Sequence, residues 1–231
     1  VTSAYCGVNI AGPNARTVLQ KVCSDVDLSS EGFPYMGVRL GNIGEIPARL
    51  IRVGFVGELG YEIHVPQQYG EALWDALMVA GNDHDIRPFG IEAQRILRLE
   101  KGHIIIGQDT DAMSNPNEVQ MSWAVSRNKP FFVGGRTIAE LEKKSSLRGL
   151  VGFVIDDTKA PIPRESHLVV EDQKMTGRVT SCNFSPTLGK AIGLAYVPPE
   201  KTTAGSIIEI KSTGGVRVLA KVVALPFYDP R

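Results

Sequence analysis

Two carboxylates, a charge-rich helix and a glycine-spaced turn are the residues of this chain whose types and spacing could do chemistry. The stretch from Gly90 to Asp111, GIEAQRILRLEKGHIIIGQDTD, joins a helical pattern to a loop bearing Asp109 and Asp111, and reads as one wall of a small-molecule site. On a helical wheel Leu99, Ile96, Ala93 and Leu97 share one arc, with Glu100 inside it, while Gln94, Arg95 and Arg98 cluster opposite. A buried carboxylate is costly without a partner, and a negative charge in the last turn opposes the helix dipole. Lys101, Arg98 or a ligand could compensate; alternatively the helix ends one residue early and Glu100 faces water.

Gly54-x-x-Gly57-x-x-Gly60 superficially resembles a phosphate loop. It is neither GxGxxG nor GxxxxGKS, and a strand follows where phosphate binding needs a helix N-terminus. A glycine-rich hairpin permitting positive φ is the local reading. Glu62, on the strand after this turn, can accept paired N–H donors from a heterocycle. Asp109-Thr-Asp111 with Asn115 and Asn117 invites calcium, but Ser114 replaces the glycine and Gln120 the bidentate glutamate of an EF-hand loop. His64, His84, His103 and His167 show no metal-ligand spacing, and neither GxSxG nor HExxH occurs. Trp123, taken alone, reads as a core residue.

The elements that must position these groups follow from periodicity and turn residues. A strand is predicted over Ser3–Ile10, then a helix opened by Gly12-Pro13 and running through Val22. Strands are expected at Val38–Leu40 and Ile46–Val53 around a turn Gly41-Asn42-Ile43-Gly44, and at Tyr61–Val65. Helices follow from Gln67 to Ala80 and from Gly90. This order predicts an α+β fold, an antiparallel sheet with packed helices. Beyond Leu147 the short runs Leu150–Ile155, His167–Val170, Gly177–Ser181, Ala191–Tyr196, Ser206–Ile210 and Val216–Val223 predict a small all-β barrel or sandwich. The charged segment Glu140-Leu-Glu-Lys-Lys-Ser-Ser is the expected junction, giving domains 1–143 and 144–231.

At 231 residues the chain can build one large or two modest domains, and 43% apolar with 22% charged residues is ordinary for a soluble protein. Formal net charge is zero, with Lys and Arg dispersed, so no nucleic-acid footprint appears. Cys6, Cys23 and Cys182 are odd in number and far apart, which argues for free thiols and a reducing, cytoplasmic compartment. No membrane span or secretory signal is readable. The first residue is Val1, not Met, so a fragment or processed product is expected.

Motif order adds a resemblance. Glu92-Ala93-x-x-x-Leu97-Arg98-x-Glu100-Lys101-Gly102-x-Ile104-Ile105-x-Gly107-Gln108-Asp109-Thr110-Asp111, with Pro116, Trp123 and Phe132-Val133-Gly134, is similar to the folate-binding region of the sarcosine oxidase alpha subunit. That subunit belongs to the aminomethyltransferase family, the glycine cleavage T-proteins. Ile10-Ala-Gly12-Pro13-Asn-Ala15, Gly57-Glu58-x-Gly60-Tyr61-Glu62-Ile63, Gly177-x-Val179-Thr180-Ser181, Ser185-Pro186-Thr187-Leu188 and Ile192-Gly193-x-Ala195-Tyr196-Val197-Pro198 match the same pattern. The resemblance spans essentially the whole chain.

It implies a tetrahydrofolate site at which reduced folate accepts a one-carbon unit from an aminomethyl or imine donor. Glu62 falls where the family's carboxylate holds the pteridine, and two adjacent ring donors suit a bidentate acceptor. Trp123 falls where the family stacks an indole near the folate. Phe55 stands where the glycine cleavage protein has Tyr, and Gln94 where it has Arg, so one cationic contact is lost. The family's aspartate at the reacting nitrogen lies upstream of the position aligned with Val1. A chain lacking it would lose roughly 10²–10⁴-fold in rate unless another group replaced it. His103 after Lys101-Gly102, where the iron–sulfur assembly members carry Cys, disfavours that role. No flavin or NAD site is readable, so a flavoprotein partner that makes the imine is implied. The alternative is a non-catalytic folate-binding or assembly module. Arg98, Glu100, Asp109 and Asp111 are expected to form an internal ion-pair set.

Overall fold

Strict alternation builds the first sheet. In β4 (Gly60–Pro66) Tyr61, Ile63 and Val65 are buried, while Glu62 and His64 face the other way. β4 pairs antiparallel with β1 (Tyr5–Ala11) and β3 (Ile46–Ile51), and β3 with β2 (Val38–Ile43), in the order β1-β4-β3-β2. Helices α1 (Ala15–Val22) and α2 (Gly70–Gly81) supply Val18, Leu19, Leu73 and Leu77 to the core beneath Leu50, Tyr61 and Ile63. Phe33 joins them, its ring 5.7 Å from that of Tyr61 and tilted by 53°. Each such side chain contributes about 1.5–3 kcal/mol on burial.

The structure, a computed structural model, describes residues 2–144 and 146–229, which divide into units of 2–94 and 95–229. The sheet and its two helices lie in the first unit. Helix α3 (Ile91–Lys101) begins in the first and ends in the second. The second contains α4 (Gly135–Glu142) and six strands: β5 (Gly149–Ile155), β6 (Leu168–Glu171), β7 (Lys174–Ser185), β8 (Lys190–Val197), β9 (Ile207–Lys211) and β10 (Arg217–Val223). These six close into an antiparallel barrel in the order β10-β5-β8-β7-β6-β9 around Phe153, Val179, Ala195, Ile210 and Val222. Closure removes free sheet edges. The α+β sheet with packed helices and the all-β barrel are therefore both present.

Details differ from the sequence expectation for physical reasons. The expected turn Gly41–Gly44 lies two residues later. Gly41 is a strand residue paired with Ala48, where a Cβ would come within 2.3 Å of Val26 Cγ2, and the reversal is made by Gly44 at φ +57°. The first strand starts at Tyr5 because 2–4 form a 3₁₀ turn. Of the expected junction, 140–142 belong to α4, which Gly134 opens at φ +90°, and Ser145 lies outside the described residues. Among the described residues no helix is long and apolar enough to cross a membrane.

Gly177 on β7 marks the closest approach in the barrel wall, since a Cβ there would lie 2.0 Å from the Tyr196 carbonyl oxygen on β8. Gly177→Ala is expected to lose about 1–3 kcal/mol in urea denaturation, because backbone cannot step aside as a side chain can. The cysteines, all free, set a second expectation. Burial pushes the Cys182 thiol up to about 12, and burial with the Asp25 charge pushes Cys23 up to about 11. Above the ordinary thiol value of 9.0 the unfolded chain releases protons that the folded chain retains, so stability falls as pH rises from 9 toward 11. Cys182→Ala flattens that slope in denaturation series run across this interval.

Candidate functional site

The outward face of the first sheet presents the carboxylate of Glu62 beside His64, their side chains 39% and 32% exposed, with His64 Nε2 3.3 Å from Glu62 Oε2. Asn9 on β1 and Ile51 on β3 flank Glu62; Gly7 and Arg49 flank His64. Gly12 donates to the Leu59 carbonyl at 2.9 Å, continuing the β1–β4 register by one pair. Bonded and non-bonded pairs alternate in an antiparallel ladder. Ile10, Val8 and Cys6 are therefore the bonded positions, and Asn9/Glu62 and Gly7/His64 are close pairs without mutual backbone bonds. The N–H and C=O groups of Gly7, Asn9 and Ala11 turn toward the open edge of β1.

Along that edge runs a groove of about 570 Å³, within the size range of small-molecule sites. Its floor is β1 with the following Gly12–Ala15, and its walls are Trp74, Leu77 and Met78 of α2 and Pro88, Phe89 and Ile91 beyond it. Asn9, Asn14 and Gln94 provide side-chain amides among apolar walls. Of the sequence candidates Gln94 lines the groove directly, and Glu62 stands one strand inward, across from the lining residue Asn9. Phe55, 37% exposed, is in the loop before β4, where only Gly57 of the three spaced glycines has a positive φ, +89°. Trp123 belongs to the second unit, in a 3₁₀ turn at Ser122–Ala124. At 76% exposure it is not the core residue that composition suggests.

The second unit contains a buried polar assembly that sequence periodicity misassigned in part. Arg98, placed by the wheel on the polar arc, is 2% exposed, and Arg98, Leu99 and Glu100 are buried consecutively. The last turn of α3 is enclosed on several sides, not along one stripe, so a single-face wheel fails there. Arg98 donates through Nη1 to Asp109 Oδ2 at 2.7 Å and to the His103 carbonyl at 2.8 Å, and through Nη2 to Ser181 Oγ at 2.7 Å. Asp109, fully buried, also accepts the Ile105 amide on Oδ2 and the hydroxyls of Thr180 and Ser181 on Oδ1, both at 2.6 Å. Thr180 and Ser181 are neighbours in β7 and would point to opposite faces of a regular strand. A bulge between Val179 and Ser181 lets both reach one oxygen.

Glu100 is buried as the wheel implies, but hydroxyls compensate it, and among the described residues no cation does. Ser185 donates to Oε1 at 2.5 Å and Thr187 to Oε2 at 3.1 Å. Lys101 pairs with Asp229 instead, at 2.9 Å. Asp109 and Asp111 do not act as a pair: Asp111 is 39% exposed and bridges Arg148 and Arg178, both of which lie against the Tyr196 ring. The Ser114 hydroxyl, then the Met113 amide and the Arg148 charge, hold Asp111 below the ordinary carboxylate value. Among the described residues no His, Cys, Asp and Glu group is placed to hold a metal ion.

Removing one partner of a buried ion pair costs more than removing both. Asp109→Leu is expected to cost about 3–5 kcal/mol, and the Arg98→Met, Asp109→Leu double variant clearly less than the sum of the singles. A double-mutant cycle in guanidinium chloride measures this directly.

Comparison with known proteins joins these observations. The family model of the GCVT N-terminal domain matches residues 1–129, and that of the glycine cleavage T-protein C-terminal barrel domain matches residues 148–229. An aminomethyltransferase of Halothermothrix orenii is 34% identical over 96% of this chain and 61% of its own length. The sarcosine oxidase subunit alpha of Corynebacterium sp. (strain P-1) is 33% identical over the whole chain and 24% of its own. The crystal structure of glycine cleavage system aminomethyltransferase T from Bartonella henselae superposes with a TM-score of 0.84 at 27% identity, covering 98% of this chain and 60% of that one. The chain thus spans about a quarter to three fifths of the length of these relatives. With both domain patterns matched in order and the sheet and barrel in place, this chain belongs to the aminomethyltransferase, or glycine cleavage T-protein, family.

Proposed function

We propose that this chain binds tetrahydrofolate and takes part in one-carbon transfer from an amine or imine donor, in the manner of an aminomethyltransferase or a sarcosine oxidase alpha subunit. The observation that carries the reading is Glu62: a half-exposed carboxylate, fixed by strand register on the outward face of the sheet, one strand from a groove of about 570 Å³. A pterin offers adjacent N–H donors to such a carboxylate and flat apolar surface to such walls. Gln94 lies at the groove, while Phe55 and Trp123 present exposed aromatic faces as further candidates for the folate rings. In this reading residues 1–143 are the folate-binding part and 144–231 the barrel.

Relatives named as subunits of sarcosine oxidase support a flavoprotein partner as the source of the one-carbon unit. The proposed setting is the cytoplasm, where the three free thiols stay reduced.

Calorimetric titration with tetrahydrofolate tests the reading. Saturable binding is expected, with Glu62→Ala weakening it by about tenfold or more, since hydrogen bonds to a charged group contribute about 1.5–3 kcal/mol. Absence of binding to the unmodified chain at millimolar ligand, or an Ala variant that binds equally well, overturns it.

A further inference from the structure

We propose that His64 is a positioning residue for Glu62, holding the carboxylate in the orientation that receives the paired donors of a pterin. The inference rests on the folate reading above and deepens it. Glu62 and His64 are two residues apart on β4 and both point outward. Side chains so spaced stand nearly 7 Å apart at the backbone, so they meet only if they lean together. They do meet, with His64 Nε2 3.3 Å from Glu62 Oε2.

The surroundings of the pair are arranged for that contact. Directly across from His64 on β1 is Gly7, in a close pair where side chains would crowd. A Cβ on Gly7 would lie 3.2 Å from His64 Nδ1 and 3.3 Å from Cε1, so glycine leaves the imidazole the room it occupies. On the other side Arg49, the cation nearest in register, is directed over the Tyr5 ring, 5.9 Å from its centroid. Ile51, beside Glu62 on β3, has no side-chain donor. His64 Nε2 thus meets the Glu62 carboxylate as a hydrogen-bonding partner.

One N–H donated to Oε2 leaves Oε1 and a second lone pair of Oε2 available, which is enough for a bidentate contact. A half-exposed glutamate otherwise loses side-chain freedom when ligand binds. Fixing it beforehand lowers that cost.

The test is calorimetric titration with tetrahydrofolate of the unmodified protein and of Glu62→Ala, His64→Leu, His64→Gln and Gly7→Ala, with a thermal melt of each to establish that it folds. The expected result is about three- to tenfold weaker binding for His64→Leu, and a smaller loss in the same direction for Gly7→Ala, whose added Cβ obliges the imidazole to shift while both interacting side chains are retained. His64→Gln, which keeps an N–H donor, binds within about twofold of the unmodified protein. A merely structural histidine would not be rescued in this way. Glu62→Ala losing binding while His64→Leu and Gly7→Ala bind normally overturns the role of His64 and leaves the folate reading intact. His64→Gln binding as poorly as His64→Leu also overturns it. No binding by the unmodified protein, or normal binding by Glu62→Ala, fails the folate reading itself.

Discussion

Burial of Asp109 and Glu100 is the constraint on which the second unit depends. Neither carboxylate could be removed from water unless its oxygens were filled, and an isolated buried charge would cost more than a whole domain's net stability can spare. Four hydroxyls from one length of chain meet this requirement: Thr180 and Ser181 for Asp109, and Ser185 and Thr187 for Glu100. Arg98 supplies the countercharge to Asp109. The end of α3, the loop that follows it and β7 of the barrel are therefore specified together, because a shift of any one would leave charge unpaired.

This explains why the late stretch of this chain, 180–187, carries so many small hydroxylated residues. Thr180-Ser181 and Ser185-Pro186-Thr187 are the acceptors' partners, and the bulge at Thr180 is the backbone device that aims two successive hydroxyls at one oxygen. The carboxylates themselves are occupied by these bonds. Their work is to hold the fold, whereas the half-exposed Glu62 carboxylate keeps lone pairs open to solvent.

The first sheet meets a different demand. Its alternation buries Tyr61, Ile63 and Val65 and so obliges Glu62 and His64 to face outward together. A slip of one residue in register would bury both polar groups, which is why the core and the site are fixed by the same pairing. At the edge, β1 leaves the backbone groups of Gly7, Asn9 and Ala11 unpaired with β4, along residues that line the groove.

Much of this was legible in the residues: the α+β order, a small all-β barrel or sandwich beyond Leu147 and the place of Glu100 among core-facing positions all follow from period and spacing. Local pattern reaches no further than the contacts it can encode. It placed Arg98 on a polar arc because a wheel assumes one buried stripe, whereas the end of α3 is enclosed by residues far along the chain, Ser181 among them. It reads Trp123, taken alone, as core, and places a turn at Gly41 that belongs to Gly44, because the crowding by Val26 that makes Gly41 necessary is tertiary. Nor could it give Glu100 hydroxyls in place of a cation, or bring Gly7 opposite His64. The sequence by itself determined most of the elements, their order and the need of a buried Glu100 for partners. Only the tertiary structure decided which partners they received, since hydrogen bonds and steric contacts between distant segments depend on register and bulges that no local period records.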